Sequence, residues 1–289
     1  MNLWSWLRFV RFANALTTVA DVCAGWVAAR ALSDVSTRNG STELSFTALA
    51  CILIYATGIV TNDIGDRAKD SVLYPERPLP SGVVSLTTAV ALSSTLTVAA
   101  FLLLLFVQSS ALPVAAVLML LIMLYNFILP DGSWAYGISM GGCRVLALTL
   151  GAAVTGVGAE NLFTPSIVIP FVSYGALILL VTRVSLREGD DQATDIPLTF
   201  KVLIPACSLG AIAPTFPPLA LLIALAWTST FWLLPPPGPA AWVRRVVFTT
   251  PIHGALIACS VGSYVAASLI ASITLVVAAV RALIAQRDS

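Results

Sequence analysis

Apolar stretches of helical length, separated by short polar interruptions, run the whole length of this chain. The first extends from about Phe9 to Leu32, and the second contains the run Phe46 to Val60. Others follow at about Ser85 to Val107, Ala111 to Leu129, Ala135 to Val157, Ile167 to Val181, Thr199 to Ala213 and Pro217 to Leu234. A helix needs about 20 such residues to cross a bilayer, so most of these are candidate crossings. The last stretch, Val246 to Ala285, is too long for one crossing, and Gly262-Ser263 is the place to divide it. The pattern predicts an all-α integral membrane protein: a bundle of nine transmembrane helices, or ten if the last stretch divides.

The interruptions carry their own signals. Tyr74-Pro75-Glu76-Arg77-Pro78-Leu79-Pro80-Ser81-Gly82 holds three prolines and excludes a regular helix. It predicts an ordered loop, with Ser81 or Ser85 available to cap the next helix. Gly141 and Gly142 in the fifth stretch allow close helix approach. Composition agrees with the membrane reading: of 289 residues, 58% are hydrophobic and 10% charged, against about a quarter charged in soluble domains. The net charge of +1, with no basic run, excludes a nucleic-acid partner. The five cysteines lie singly in apolar segments and His253 is the lone histidine, so neither a disulfide framework nor a zinc site is expected. Trp4, Trp6, Trp227 and Trp232 fit interfacial belts. The first apolar stretch is expected to be a retained helix, because no small-residue cleavage site follows it.

Positive charge orients the bundle. With the amino terminus inside, Arg8, Arg11, Arg67, Lys69, Arg77, Arg183, Arg187, Lys201, Arg244 and Arg245 all fall on the cytoplasmic side. The expected location is a bacterial inner (cytoplasmic) membrane, with one membrane-embedded domain over residues 1–289. Two acid-rich motif regions, 62–82 and 183–198, then lie on the cytoplasmic face.

These two regions hold the candidate chemistry. Asp63, Asp66 and Asp70 fall at i, i+3 and i+7, as do Glu188, Asp191 and Asp195. With Glu76 and Asp190 they make eight of the chain's 14 acidic residues. On a helix, that spacing puts three carboxylates on one face beside hydrocarbon, where repulsion and desolvation call for a cation. Oxygen-only ligands suit Mg²⁺, which takes one or two protein carboxylates and completes its shell with water and phosphates. Each set ends an even-numbered segment, so a bundle can bring both over one cavity opening to the cytoplasmic side. Mg²⁺ held there could bridge to a diphosphate, while the apolar bundle accepts a hydrocarbon tail. An isoprenyl diphosphate satisfies both demands. Lys69, Arg77 and Arg187 can grip diphosphate oxygens or act as positive-inside anchors. Arg144 is expensive inside an apolar segment unless it serves a cavity, and Asn14 can reach that cavity from the first segment.

Asn62-Asp63-x-x-Asp66-x-x-x-Asp70, Arg77-Pro78-Leu79-Pro80-Ser81-Gly82 and Asp191-x-x-x-Asp195, in that order, resemble the signature of the UbiA-type intramembrane prenyltransferases. The resemblance implies transfer of a prenyl group from its diphosphate to an aromatic, quinone-precursor or lipid acceptor. It implies Mg²⁺ as cofactor, with Asp63, Asp66, Asp70, Asp191 and Asp195 as its ligands. Asp66, Asp70, Asp191, Asp195 and Tyr125 would be the catalytic set, and Asn62, Lys69, Arg77, Arg144, Arg187 and Asn14 would bind substrate. The expected partners are a prenyl diphosphate donor, a hydrophobic or aromatic acceptor and membrane lipids. The chain departs from the pattern at Leu129, where many members have lysine, and at Ile196-Pro197-Leu198. Three other readings compete: a silent prenyl-lipid-binding protein, a cation-coupled transporter, and a CDP-alcohol phosphotransferase, whose compact motif Asp66-Arg67-Ala68-Lys69 does not supply.

Overall fold

The structure, a computed structural model, describes residues 2–31, 40–107, 110–186, 197–213, 215, 217–233 and 238–286. Every regular element among them is a helix. In chain order these are α1 (Leu3–Phe9), α2 (Phe12–Ala15), α3 (Thr17–Ala31), α4 (Gly40–Gly65), α5 (Arg67–Leu73), α6 (Leu86–Leu104) and α7 (Ala111–Phe127). Then follow α8 (Trp134–Ala153), α9 (Ala159–Leu162), α10 (Pro165–Ser185), α11 (Leu198–Ile212), α12 (Pro218–Leu233), α13 (Pro239–Ser260) and α14 (Tyr264–Gln286). Five spans are long and apolar enough to cross a membrane: Phe12–Ala31, α4, α6, α10 and α14. Shorter apolar helices lie at Ala111–Phe127, Lys201–Ile212 and Pro218–Thr230.

Helix ends follow local chemistry. The Ser85 hydroxyl accepts from the Thr88 amide at 3.0 Å and starts α6, one of the two capping choices the sequence offered. Ser133 does the same for α8 through the Tyr136 amide, at 3.1 Å. The last apolar stretch divides where expected. Gly262 adopts φ 77°, its amide donates to the Cys259 carbonyl at 3.0 Å, and the Ser263 amide donates to Ala258 at 3.0 Å. That paired pattern closes α13 and turns the chain into α14.

Helix α3 is the hub, packing against α8, α13, α4 and α14. Its approach to α8 is backbone on backbone. A Cβ at Gly25 would sit 1.8 Å from the Leu148 carbonyl oxygen, and one at Gly151 would sit 2.0 Å from that of Val22. A Cβ at Gly141 would likewise meet the Gly175 oxygen of α10 at 2.4 Å. Small residues at these crossings let α3, α8 and α10 close to a distance no side chain could share. The seam divides the apolar interior. Ala20, Ala24, Leu148 and Ala152 join a cluster with α10, α13 and α14. Val22, Leu150 and Val154 join another with α4, α6 and α7. Val98, Leu102, Leu275 and Val276 are exposed on the outer helices, as expected of a bundle whose solvent is lipid.

Candidate functional site

A cavity of about 320 Å³ lies inside the bundle. Its walls come from α2, α3, α4, α7, α8, α10 and α13, and most of the surface is apolar, including Ile54, Leu118, Ile122, Ala147 and Val247. Polar groups gather on it from several helices: Arg11, Asn14, Asn62, Tyr125, Asn126 and Arg144. Four residues expected at the site from sequence, Asn14, Asn62, Tyr125 and Arg144, therefore share one cavity.

The first acidic set lies within two turns of Asn62. Helix α4 gives way to α5 at Asp66, whose ψ of 0° bends the backbone there, while the Asp66 and Asp70 amides donate to the carbonyls of Asn62 and Asp66, both at 2.8 Å, and carry the helical bonding across the junction. Gly65 is required there: a Cβ would stand 2.6 Å from the Asn126 carbonyl oxygen of α7. Each carboxylate has its own surroundings. Asp63 is buried and faces Arg11 at 3.5 Å, and its Oδ1 accepts no hydrogen bond. Asp66 accepts from the Asn62 amide at 3.1 Å. Partial burial raises its carboxyl above the usual carboxylate range, with Lys69 opposing and Asp131 adding to the rise. Asp70 is buried and receives Arg77 at 2.6 Å. No three metal-ligating side chains converge among the described residues. The second set, with Arg187, Glu188, Asp190, Asp191 and Asp195, lies outside them. Helix α10 leads directly to that set, and its last turn, Thr182 and Ser185, lines the same cavity as Asn62.

The cationic residues divide by environment. Arg77 is braced between Asp70 and the Tyr74 ring, 4.2 Å from its centroid. Its loop is pinned by Leu79, which is buried with Phe9, Val60, Val84 and Ala89. Lys69 is exposed and pairs with Asp131 of the α7–α8 loop at 2.7 Å, a hydrogen bond that raises its ammonium above the ordinary lysine value. Arg144 is partly buried in the α8 wall. It donates to Asp21 at 2.6 Å and to Thr17 at 3.0 Å, while the Tyr174 hydroxyl donates to the other Asp21 oxygen at 2.8 Å.

Three features escaped the sequence reading. Arg11, expected as a membrane-face anchor, lines the cavity and pairs with Asp63. Its φ of 48° makes it the one left-handed non-glycine residue among those described, a conformation that clusters at functional sites. Tyr136 stacks on Tyr125 with ring centroids 4.1 Å apart, and the two hydroxyls share a short hydrogen bond. Trp227 is buried against His253, 4.7 Å between ring centroids, rather than standing in an interfacial belt. The side chain of Trp232 lies outside the description.

The sequence matches the UbiA prenyltransferase family over residues 18–261. It is similar to digeranylgeranylglyceryl phosphate synthase of Metallosphaera sedula, 36% identical over 87 residues, which are 30% of this chain and 29% of that protein. The protein of the same name from Sulfolobus acidocaldarius is 27% identical over 128 residues, 44% of this chain and 43% of the relative. The aligned parts thus span less than half of either relative. Among solved structures, a UbiA homologue from Archaeoglobus fulgidus bound to DMAPP and Mg²⁺ superposes with a TM-score of 0.64 at 13% identity, covering 90% of this chain and 99% of the other. That likeness is one of fold.

Proposed function

This chain belongs to the UbiA prenyltransferase family, and we propose that it transfers an isoprenyl group from a prenyl diphosphate to a hydrophobic acceptor, releasing diphosphate. The observation that carries the proposal is the cavity: apolar walls for a prenyl chain, with Asn62 on the wall and the acidic motif beginning at its next residue. The A. fulgidus homologue, bound to DMAPP and Mg²⁺, supports the same donor class here.

The residues present fit Mg²⁺. Asp63 offers a buried oxygen with no hydrogen bond, and Asp66 offers a carboxylate that holds only the Asn62 amide among the hydrogen bonds described. Asp63, Asp66 and Asp70, with Asp191 and Asp195 of the second set, would hold the ion, which when bound neutralises charge on the departing diphosphate. Arg11, Arg77, Lys69 and Arg187 add cationic donors for the diphosphate oxygens. Lys69 reaches the loop two residues beyond Leu129, where Asp131 holds it at 2.7 Å, so a lysine ammonium stands near the position many members fill with lysine. As the C1–O bond breaks, its electron pair leaves with diphosphate. Cationic character then develops at C1, which an aromatic ring such as Tyr125 on the cavity wall attracts. An electron pair of the acceptor forms the new bond to C1, and the acceptor proton passes to a carboxylate or to released diphosphate. We place the motif side toward the cytoplasm and count ten crossings, supported by the turn at Gly262 and by the basic residues on that side.

The test is diphosphate release by the purified protein in nanodiscs, supplied with dimethylallyl, geranyl, farnesyl and geranylgeranyl diphosphates and Mg²⁺. Release that EDTA stops, and that Asp66→Ala and Asp191→Ala abolish, is the expected result. Mg²⁺-dependent donor binding without release would instead identify a silent prenyl-lipid-binding protein.

A further inference from the structure

Resting on that reading, we propose that Arg144, held by Asp21, is the acceptor subsite, and that it takes a neutral oxygen and selects against a carboxylate or phosphate. Arg144 reaches the cavity surface, whereas Asp21 is fully buried behind it. Both Asp21 oxygens are engaged, one by Arg144 at 2.6 Å and one by the Tyr174 hydroxyl at 2.8 Å. Asp21 is thus held on both oxygens and does not line the cavity. It is a positioning residue. Thr17 fixes the second terminal nitrogen of Arg144 at 3.0 Å. A guanidinium carries five N–H donors, and these two contacts leave the others without a described partner.

The charge balance sets the chemistry. Arg144 and Asp21 together are neutral, and the other cation on the cavity wall, Arg11, is paired with Asp63 at 3.5 Å. An anion on Arg144 would leave one uncompensated negative charge in a low-dielectric interior, which is costly. A neutral hydroxyl or carbonyl oxygen accepts a charge-assisted hydrogen bond without that penalty. The prenyl chain gives Arg144 nothing to donate to and the donor's diphosphate meets the same penalty as any other anion, so the polar group it takes belongs to the other substrate. The subsite thus fits the oxygen of a phenol, quinol or alcohol.

The experiment compares matched acceptors that differ by one anionic group: 4-methylphenol with 4-hydroxybenzoate, and an alkylglycerol with its phosphate. Each is assayed with geranyl diphosphate and Mg²⁺ for kcat/KM, and alone for binding by quenching of intrinsic tryptophan fluorescence. The native protein is expected to favour the neutral member of each pair by roughly tenfold or more. Asp21→Asn, which leaves Arg144 with its charge uncompensated, is expected to lower that ratio by about tenfold. Thr17→Val is expected to raise the KM for acceptor severalfold while leaving the ratio in place. Preference of the native protein for the anionic member overturns the proposal, as does an Asp21→Asn loss that is equal for both members. Should Asp21→Asn not accumulate, the native ratio and Thr17→Val carry the test. Absence of diphosphate release with every donor refutes the transferase reading instead, and the binding arm still decides between neutral and anionic probes.

Discussion

Gly151→Ala should do more harm than its single methyl group suggests. The new Cβ would lie 2.0 Å from the Val22 carbonyl oxygen, and contacts under 3.0 Å are essentially never found. Helices α3 and α8 must therefore separate by about 1 Å, since the obstacle is backbone and cannot rotate away. Overpacking of this kind costs about 1–3 kcal/mol. The displaced atom belongs to the residue after Asp21, so the 2.6 Å contact between Asp21 and Arg144 stretches by a similar amount and a buried ion pair is weakened as well. A total of about 2–4 kcal/mol follows, which corresponds to a fall in apparent Tm of at least about 4 °C. Gly142→Ala is the control, because its Cβ would meet only a Leu121 methyl at 2.8 Å, the end of a side chain that can turn aside. Fluorescence-detected size exclusion of heated detergent extracts gives both values. Equal Tm for Gly151→Ala, Gly142→Ala and the native protein would refute the idea that this contact sets the α3–α8 distance.

Other expectations are compact. Arg77→Gln leaves the buried Asp70 without its 2.6 Å partner and should cost about 2 kcal/mol or more. Lys69→Gln, whose partner Asp131 is exposed, should cost about 1 kcal/mol or less; thermal unfolding of the two variants side by side checks the order. Tyr136→Phe keeps the ring stack on Tyr125 but removes the hydroxyl it bonds. It should lower kcat about tenfold or less with donor KM little changed, while Tyr136→Ala should lower kcat further. Arg11→Gln removes the cation facing Asp63 and should raise the donor KM severalfold; an unchanged KM for dimethylallyl diphosphate would show that Arg11 does not touch the diphosphate.

Much of this was legible in sequence, for identifiable reasons. The division of the last apolar stretch at Gly262 was visible because glycine tolerates the positive φ that ends a helix this way. Arg144 stood out because a charge in an apolar segment demands a partner; that the partner is Asp21, more than a hundred residues earlier, depends on a helix crossing no local pattern records. The bend at Asp66 leaves no trace in i, i+3, i+7 spacing, because the close approach of the Asn126 carbonyl to Gly65 is a tertiary fact. Arg11 gave no warning, since arginine is not a residue that favours left-handed backbone. The Tyr125–Tyr136 stack joins two residues across a Pro-Asp-Gly turn, a hairpin signal that went unused. Trp227 illustrates the opposite error, an amphipathic residue assigned to the interface although α12 carries it inward.

The burial of Leu79 against Phe9 has a practical side. The loop that carries Arg77 is moored to α1, so the position of that loop depends on the amino-terminal segment. A fusion or affinity tag that pulls on α1 would transmit its load to the Arg77–Asp70 contact, and trimming residues before Val10 would remove the mooring. Expression designs for this protein should put the tag after α14, and a preparation that loses activity through an amino-terminal fusion should first be remade with that end free.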